Sequence, residues 1–565
     1  MNLRADHIYR TFLRLTRRLS NSQIMMLLAV VVGVLAGVGT YLFEMLLYGI
    51  KYGLTNWFPV DSAHILFLIY PAVGIILATL FVKYIVRDNI SEGVTRVLYA
   101  MSRRNSRIAR HNCWTSIVGG ATTIGFGGSV GPEAPIVLTG AAIGSNVGRI
   151  ARLNYKHTTL LLCCGAGAAL AAIFKAPITG VVFVLEILML DITAGSVIPL
   201  LIASITATTM AFMLRGFDPI LAVTLAPADA FELWQIPLFI LLGVLCGLMA
   251  WYFTSMNSRV GGFFKSIDKQ YKKWLWGGAI LGILIFVFPP LYGEGYEGFT
   301  SLMHGNAQEL FNNSLFYRFR DIDWVIILFV IATMFFKVIA MSTTNAAGGV
   351  GGTFAPSLFV GAFTGASLAL VCNTLFGWEV SIVSFTLVGM AGVMSGVMNA
   401  PLTSIFLIAE LSNGYGLFIP LMITACISFA VDYYLDPDSI YTKQLRQKGE
   451  LLTHDKDQSV FVFLKLEELM ETDFLRIKEN FTLGDIVHII STARRNIFPV
   501  IDNFGHLLGV VQLDDLREDM FKHEKYGHPI SDYMIQPPDK ILEHESIQGV
   551  MEKFEDKHTW MLPVV

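Results

Sequence analysis

A chain of 565 residues with 54% apolar content and a mean hydropathy of +0.57 is too long for a single core and too apolar to be soluble throughout. Lys and Arg (41) nearly balance Asp and Glu (44), leaving a net charge of −3, so no nucleic-acid partner is expected. The six cysteines, Cys113, Cys163, Cys164, Cys246, Cys372 and Cys426, show neither metal-ligand spacing nor a disulfide framework and read as buried thiols, with no metal site.

Residues 1–21 carry Arg4, Arg10, Arg14, Arg17 and Arg18 interleaved with Ile8, Phe12, Leu13 and Leu15. This pattern reads as a cytoplasmic amphipathic segment along the inner interface or as a basic tail. The apolar run from Ile24 to Leu47 is too long for a cleavable signal and opens a membrane domain over residues 22–445. Ile65 to Ile85, Leu238 to Phe253 and Val325 to Ile339 are further runs, several near or above the roughly 20 residues that span a bilayer core. Gly33 and Gly37 give the first span a close-packing G-x-x-x-G face. Arg103, Arg104, Arg107 and Arg110 crowd a short loop, which places that loop in the cytoplasm with both termini.

The membrane domain repeats itself. Gly127-Gly128-Ser129-Val130-Gly131-Pro132-Glu133-Ala134-Pro135 matches Gly348-Gly349-Val350-Gly351-Gly352-Thr353-Phe354-Ala355-Pro356 at both starting glycines, the fifth-position glycine and the closing Ala-Pro. Ala176-Pro177 precedes Thr179 and Glu186, and Ala400-Pro401 precedes Thr403 and Glu410 at identical spacing. The two landmarks lie 42 residues apart in the first copy and 45 in the second. Such repeats mark transporters and channels whose halves, often inverted, enclose a site at mid-membrane. The Gly and Pro clusters predict broken helices, with N-termini near Glu133 and Phe354, because irregular backbone at that depth must be buried or line a polar cavity.

Helix N-termini offer an anion partial positive charge and free N–H donors without the grip of a full ion pair. The amides of Thr353 and Phe354 are the expected donors. Glu133 is a carboxylate at membrane depth, the kind of residue that marks an ion path or proton relay. Ionised, it would occupy an anion site; protonated or swung away, it would vacate it. Glu186 and Glu410 read as helix-end hydrogen-bond acceptors. Lys175 and Lys337 either line an aqueous vestibule or snorkel to the interface.

The tail returns to ordinary charge: a linker over 446–466, then two copies over 467–525 and 526–565, the second incomplete. Met470 and Met534 each precede a Pro-Val segment, at Pro499 and Pro563, by 29 residues. Thr482 and Ser546 sit where they would cap a following helix. Alternating apolar strands and helices point to α/β units.

These residues resemble the CLC chloride channel and transporter family. Gly128 to Pro135, with Gly131, Pro132, Glu133, Ala134 and Pro135, is similar to its gating-glutamate motif. Gly352-Thr353-Phe354-Ala355-Pro356 is similar to its G-x-F-x-P motif. Phe174-Lys175-Ala176-Pro177 through Glu186 is similar to its F-N-A-P segment, and Tyr441 to its chloride-binding tyrosine. The tail resembles a CBS pair. The resemblance implies an all-α polytopic membrane domain with an internal inverted repeat and broken helices, followed by α/β cytoplasmic CBS domains. It further implies a homodimer with one anion pore per subunit, gated by Glu133. Chloride would be held by Tyr441 and the amides of Thr353 and Phe354, and adenine nucleotide would bind at the CBS pair.

There are departures. Ser91-Glu92-Gly93 stands where the family has its chloride-binding serine, so Glu92 aligns with that serine and Ser91 lies one position early. Pro132 has no N–H to offer. The inner proton glutamate of the family's antiporters is Ile187 here. Passive chloride conduction is therefore expected, with chloride/proton antiport as the alternative. A CBS-regulated cation transporter using Glu92 and Asp191 is a remote one. No nucleophile–base constellation or H-E-x-x-H is present, so no enzymatic activity is expected. In the tail, the ribose-binding pattern keeps only Asp515, since Gln512 replaces the hydroxyl residue after Gly509.

Overall fold

The apolar runs fold as helices, whose backbone groups are satisfied within each segment as the membrane demands. A computed structural model of the chain describes residues 20–56, 65–88, 90–91, 93–103, 106–190, 193–216, 231–304, 306–412, 414–447 and 466, and 470–565 apart from 492, 494, 544, 546, 558 and 560. Glu92, Asp191, Ser546 and nearly all of segments 1–21 and 446–466 lie outside the described residues. The chain divides after residue 450 into two compact units.

The first unit is helical. Its first half comprises α1 (Asn21–Thr55), α2 (Tyr70–Leu80), α3 (Gly93–Arg103), α4 (Asn112–Gly125), α5 (Glu133–Ile150), α6 (Tyr155–Phe174), α7 (Pro177–Glu186) and α8 (Ala194–Arg215). The second comprises α9 (Ile236–Lys265), α10 (Gln270–Val287), α11 (Tyr296–Met303), α12 (Asp323–Ala347), α13 (Phe354–Phe376), α14 (Ile382–Met398), α15 (Pro401–Leu411), α16 (Phe418–Leu435) and α17 (Ile440–Gln447). Among the described residues eight helices are long and apolar enough to cross a membrane. Helix α1 is opened by a Ser20–Gln23 capping box. Its Gly33 and Gly37 lie against Ala203 and Ala207 of α8, where a side chain would not fit, so that glycine pair serves packing.

The repeat is visible residue for residue. Gly127 and Gly348 both take positive φ, 96° and 115°, at the entry to the two glycine-rich segments. Lys175 and Asn399 both end a helix in the left-handed conformation, φ 54° and 51°, just before each Ala-Pro. Helix pairs α5–α6 and α13–α14 pack through matched glycines, Gly140 on Gly165 and Gly361 on Gly389. Thr123 Oγ1 accepts from the Val350 amide at 3.0 Å, and Thr344 Oγ1 accepts from the Ser129 amide at 3.2 Å. Each half thus holds the other's loop. The thiols of Cys163, Cys164, Cys246 and Cys372 are buried and free, whereas Cys113 is only half-buried and Cys426 is exposed on α16, correcting the expectation of burial at those two.

The second unit holds a sheet ordered β1 (Ile477–Lys478), β2 (Ile497–Ile501), β3 (Leu507–Gln512), with β1 parallel and β3 antiparallel to β2. Helices α18 (Leu483–Ile490) and α19 (Leu513–Leu516) follow β1 and β3, and α20 (Ile547–Asp556) lies beyond. Ile477, Leu483, Ile486, Phe498, Val500, Val511, Leu516 and Ile530 form its core. Ile477 pairs with Val500, and the equivalent residues of the second copy, Ile541 and Val564, form a parallel bridge.

Candidate anion site

The two glycine-rich segments meet. Gly131 and Gly352 exchange backbone hydrogen bonds, N–H to O=C at 2.9 Å one way and 2.7 Å the other. That bridge sets the first residues of α5 and α13, Glu133 and Phe354, beside each other, so two helix N-termini converge deep in the protein. Glu133 is 1% exposed. Its Oε1 accepts from the Tyr296 hydroxyl at 3.0 Å. Its Oε2 has no hydrogen-bond partner among the described residues and lies so close to Gly131 that any Cβ there would collide with it. The folded-back carboxylate thus occupies the space that the missing side chain of Gly131 leaves open.

Thr353 and Phe354 are buried at the start of α13, and among the described residues no acceptor is matched to their amides. Unpaired amides at a helix start are donors of the kind an anion can use. The Phe354 ring packs on Phe174, centroids 5.5 Å apart, which ties α13 to the end of α6. Tyr441, on α17, is buried, and its phenol faces the Thr353 side chain and the Glu133 carboxylate. Helix α17 is held to α3 by Thr95 Oγ1 donating to Gln444 Oε1 at 2.8 Å. Gly93, first residue of α3, presses on the Ala134 carbonyl, which brings the Ser91 segment against the start of α5. Pro132 takes the N-cap position of α5 without a side-chain cap. Pro135 lies against Gly120, and Ala355 against Gly131, while Pro356 sits buried in the first turn of α13. Glu133, Thr353, Phe354 and Tyr441 thus belong to one neighbourhood, and the start of α3, two residues after Ser91, packs against it.

Other sequence expectations fall elsewhere. Glu186 accepts from Leu402 N at 3.0 Å, Thr403 N at 2.7 Å and Thr403 Oγ1 at 2.6 Å. Glu410 accepts from Ile178 N at 3.0 Å, Thr179 N at 2.8 Å and Thr179 Oγ1 at 2.6 Å. Helices α7 and α15 therefore cap each other's N-termini. Ile187 is buried at the end of α7. Lys337 neither lines a vestibule nor snorkels: it is 0% exposed, donates to the Gly293 carbonyl at 3.0 Å and stands 4.9 Å from the Phe359 ring centroid. Burial is tolerated because carbonyl and ring satisfy the ammonium. Lys175 donates to Gly216 O at 2.9 Å, at the C-terminal end of α8. Among the described residues no group of three His, Cys, Asp or Glu side chains could hold a metal ion.

The sequence reading missed Tyr296. It follows the turn Gly293-Glu294-Gly295, which Lys337 grips and in which Glu294 faces the charges of Lys51 and Lys337. A glutamate between glycines, just past the Pro289-Pro290 turn that follows an apolar helix, was the available signal. In the second unit, Asp515 is exposed on α19, directly after β3.

Comparison with known proteins bears on the family and the fold. The family described as voltage gated chloride channel matches residues 73–433, and the CBS domain matches residues 466–522. A ClcB-like chloride channel protein of Ralstonia nicotianae is 26% identical over 389 residues, 68% of this chain and 86% of its own. The H(+)/Cl(-) exchange transporter ClcA of Vibrio vulnificus is 29% identical over 419 residues, 70% of this chain and 84% of its own. The fold matches a slow cyanobacterial Cl-/H+ antiporter with TM-score 0.64 at 23% identity, over 75% of this chain and 97% of that one. It also matches a eukaryotic CLC transporter with TM-score 0.62 at 16% identity, over 96% and 95%. This is a multi-pass membrane protein for anion transport, and the chain belongs to the voltage-gated chloride channel (CLC) family.

Proposed function

We propose that the protein exchanges chloride for protons, with Glu133 as both gate and proton carrier. The observation that carries this reading is the seating of Glu133: a buried carboxylate folded onto two helix N-termini and latched by Tyr296. Ionised, it competes with the anion for the amides of Thr353 and Phe354; protonated, it loses that attraction and leaves with its proton. Tyr441 and Ser91 complete the anion's shell in this reading, with termini in the cytoplasm and one pore in each subunit of a homodimer. Relatives named as H(+)/Cl(-) exchangers across most of their length support exchange over the passive conduction expected from Ile187.

The test uses proteoliposomes with a chloride gradient and no initial pH difference. Exchange predicts uphill proton movement, collapsed by a protonophore and abolished by Glu133→Gln, with chloride flux in that variant no longer pH-dependent. Chloride flux without proton movement would establish passive conduction, the reading that Ile187 and the channel-named relative favour. For the C-terminal unit the reading is adenine-nucleotide binding with Asp515 at the ribose. Calorimetry with ATP on wild type and Asp515→Ala tests it, and no binding by wild type leaves a dimer-stabilising role.

A further inference from the structure

Exchange, as proposed above, needs a second protonatable group besides Glu133, and at position 187 an isoleucine cannot supply it. The other carboxylates of the membrane unit are mostly committed. Glu44 pairs with Arg215, Asp88 with Arg96 and Asp436 with Lys443, while Glu186 and Glu410 are spent on helix caps. Glu294 belongs to the Lys337 turn beside Tyr296.

Asp432 is different. It lies on α16, one turn before the helix ends, and is 1% exposed. Its Oδ1 has no partner among the described residues, and neither have Ser428 Oγ, one turn earlier, and Asn399 Oδ1. The first two of these atoms face one junction, with Asn399 one turn beyond it at the end of α14. Helix α14 comes up to α16 through Gly396, where a Cβ would stand 3.3 Å from both Asp432 Cβ and Ser428 Oγ. Asn399 ends α14 and donates Nδ2 to the Pro437 carbonyl at 3.1 Å, in the segment leading to α17 and Tyr441. The charges that face Asp432 are Asp436 and Lys443, already joined to each other. Helix α9 contributes Ala250, and α14 contributes Gly396 and Asn399.

Polar atoms this deeply buried are held by water where the protein supplies no partner. A carboxylate there, its nearest cation Lys443 already joined to Asp436, is a group that such water can supply with a proton and relieve of one. We propose that Asp432 is the second proton-exchanging carboxyl group of the transporter, loading and releasing its proton through water at the junction of α14, α16 and α17. The step is simple: a proton from hydronium bonds to Oδ1, water is left behind, and the reverse step discharges it.

The full-length protein is reconstituted as wild type, D432N and D432E, and protons moved per chloride are measured under a chloride gradient. Expected is a fall of at least ten-fold in that ratio for D432N and recovery in D432E. Wild-type coupling in D432N overturns the assignment while leaving exchange intact. A wild type that moves no protons overturns exchange instead. Infrared titration then judges the site by itself: a carboxyl C=O band that grows as pH falls, lost in D432N and kept in E133Q, supports Asp432, and its presence in D432N overturns it. If D432N does not reconstitute, D432S serves both comparisons.

Discussion

The hydroxyl of Tyr296 donates to Oε1 of Glu133 at 3.0 Å, joining the start of α11 to the start of α5, which lie far apart in sequence. A hydrogen bond to a charged group contributes about 1.5–3 kcal/mol. Tyr296→Phe should therefore unseat Glu133 roughly ten-fold or more and raise chloride flux at neutral pH. In the Glu133→Gln background the same change should do almost nothing. Liposome flux in the double-mutant cycle measures this, and equal effects in both backgrounds would remove Tyr296 from the gate.

In the proposed reading Tyr441 offers the anion its phenol, which faces Thr353. Tyr441→Phe should weaken chloride binding about ten-fold, the equivalent of one lost charged hydrogen bond. Isothermal calorimetry reads this directly, and wild-type affinity would mean that the hydroxyl is not a ligand.

The reciprocal caps of Glu186 and Glu410 should behave as two independent stabilising sites. Helix α7 has 10 residues, which puts its ends about 15 Å apart, beyond the range where substitutions usually couple. Alanine at either position should lower stability by about 1–3 kcal/mol and at both by close to the sum, with glutamine milder. Thermal melts in detergent check it.

In the C-terminal unit Asp519 accepts from Lys525 at 2.6 Å, Lys522 at 2.9 Å and the Tyr533 hydroxyl at 3.1 Å. These donors hold its carboxyl well below the usual range, Lys525 and Lys522 foremost. A lowered folded-state value means stability that is present above the unfolded value, about pH 4, and is lost as pH falls through the folded one. Asp519→Asn should melt earlier than wild type at pH 7, with the gap closing in strong acid. An unchanged gap would show that the charge is not what stabilises.

The membrane architecture was legible because it is written locally. Apolar runs gave the spans, and the Gly-rich and Ala-Pro landmarks marked where helices break and restart, so α5 and α13 begin at Glu133 and Phe354 as expected. Lys337 was misjudged because a lysine in an apolar run ordinarily reaches for water, and only the Gly293 carbonyl and the Phe359 ring make its burial tolerable.

The sequence alone determined the two-part chain, the twofold repeat, the helix starts at Glu133 and Phe354 and the helix-capping glutamates. Each of these is a short pattern or a pair of patterns at matched spacing. Tertiary structure alone decided that Gly131 bonds Gly352, that Tyr296 latches Glu133 and that Asp432 and Ser428 face Gly396 in one buried junction. Tyr296 and Asp432 carry no periodic or repeated signal. Their chemistry comes from the groups that distant helices bring to them and from the solvent those helices exclude, and one-dimensional spacing encodes neither.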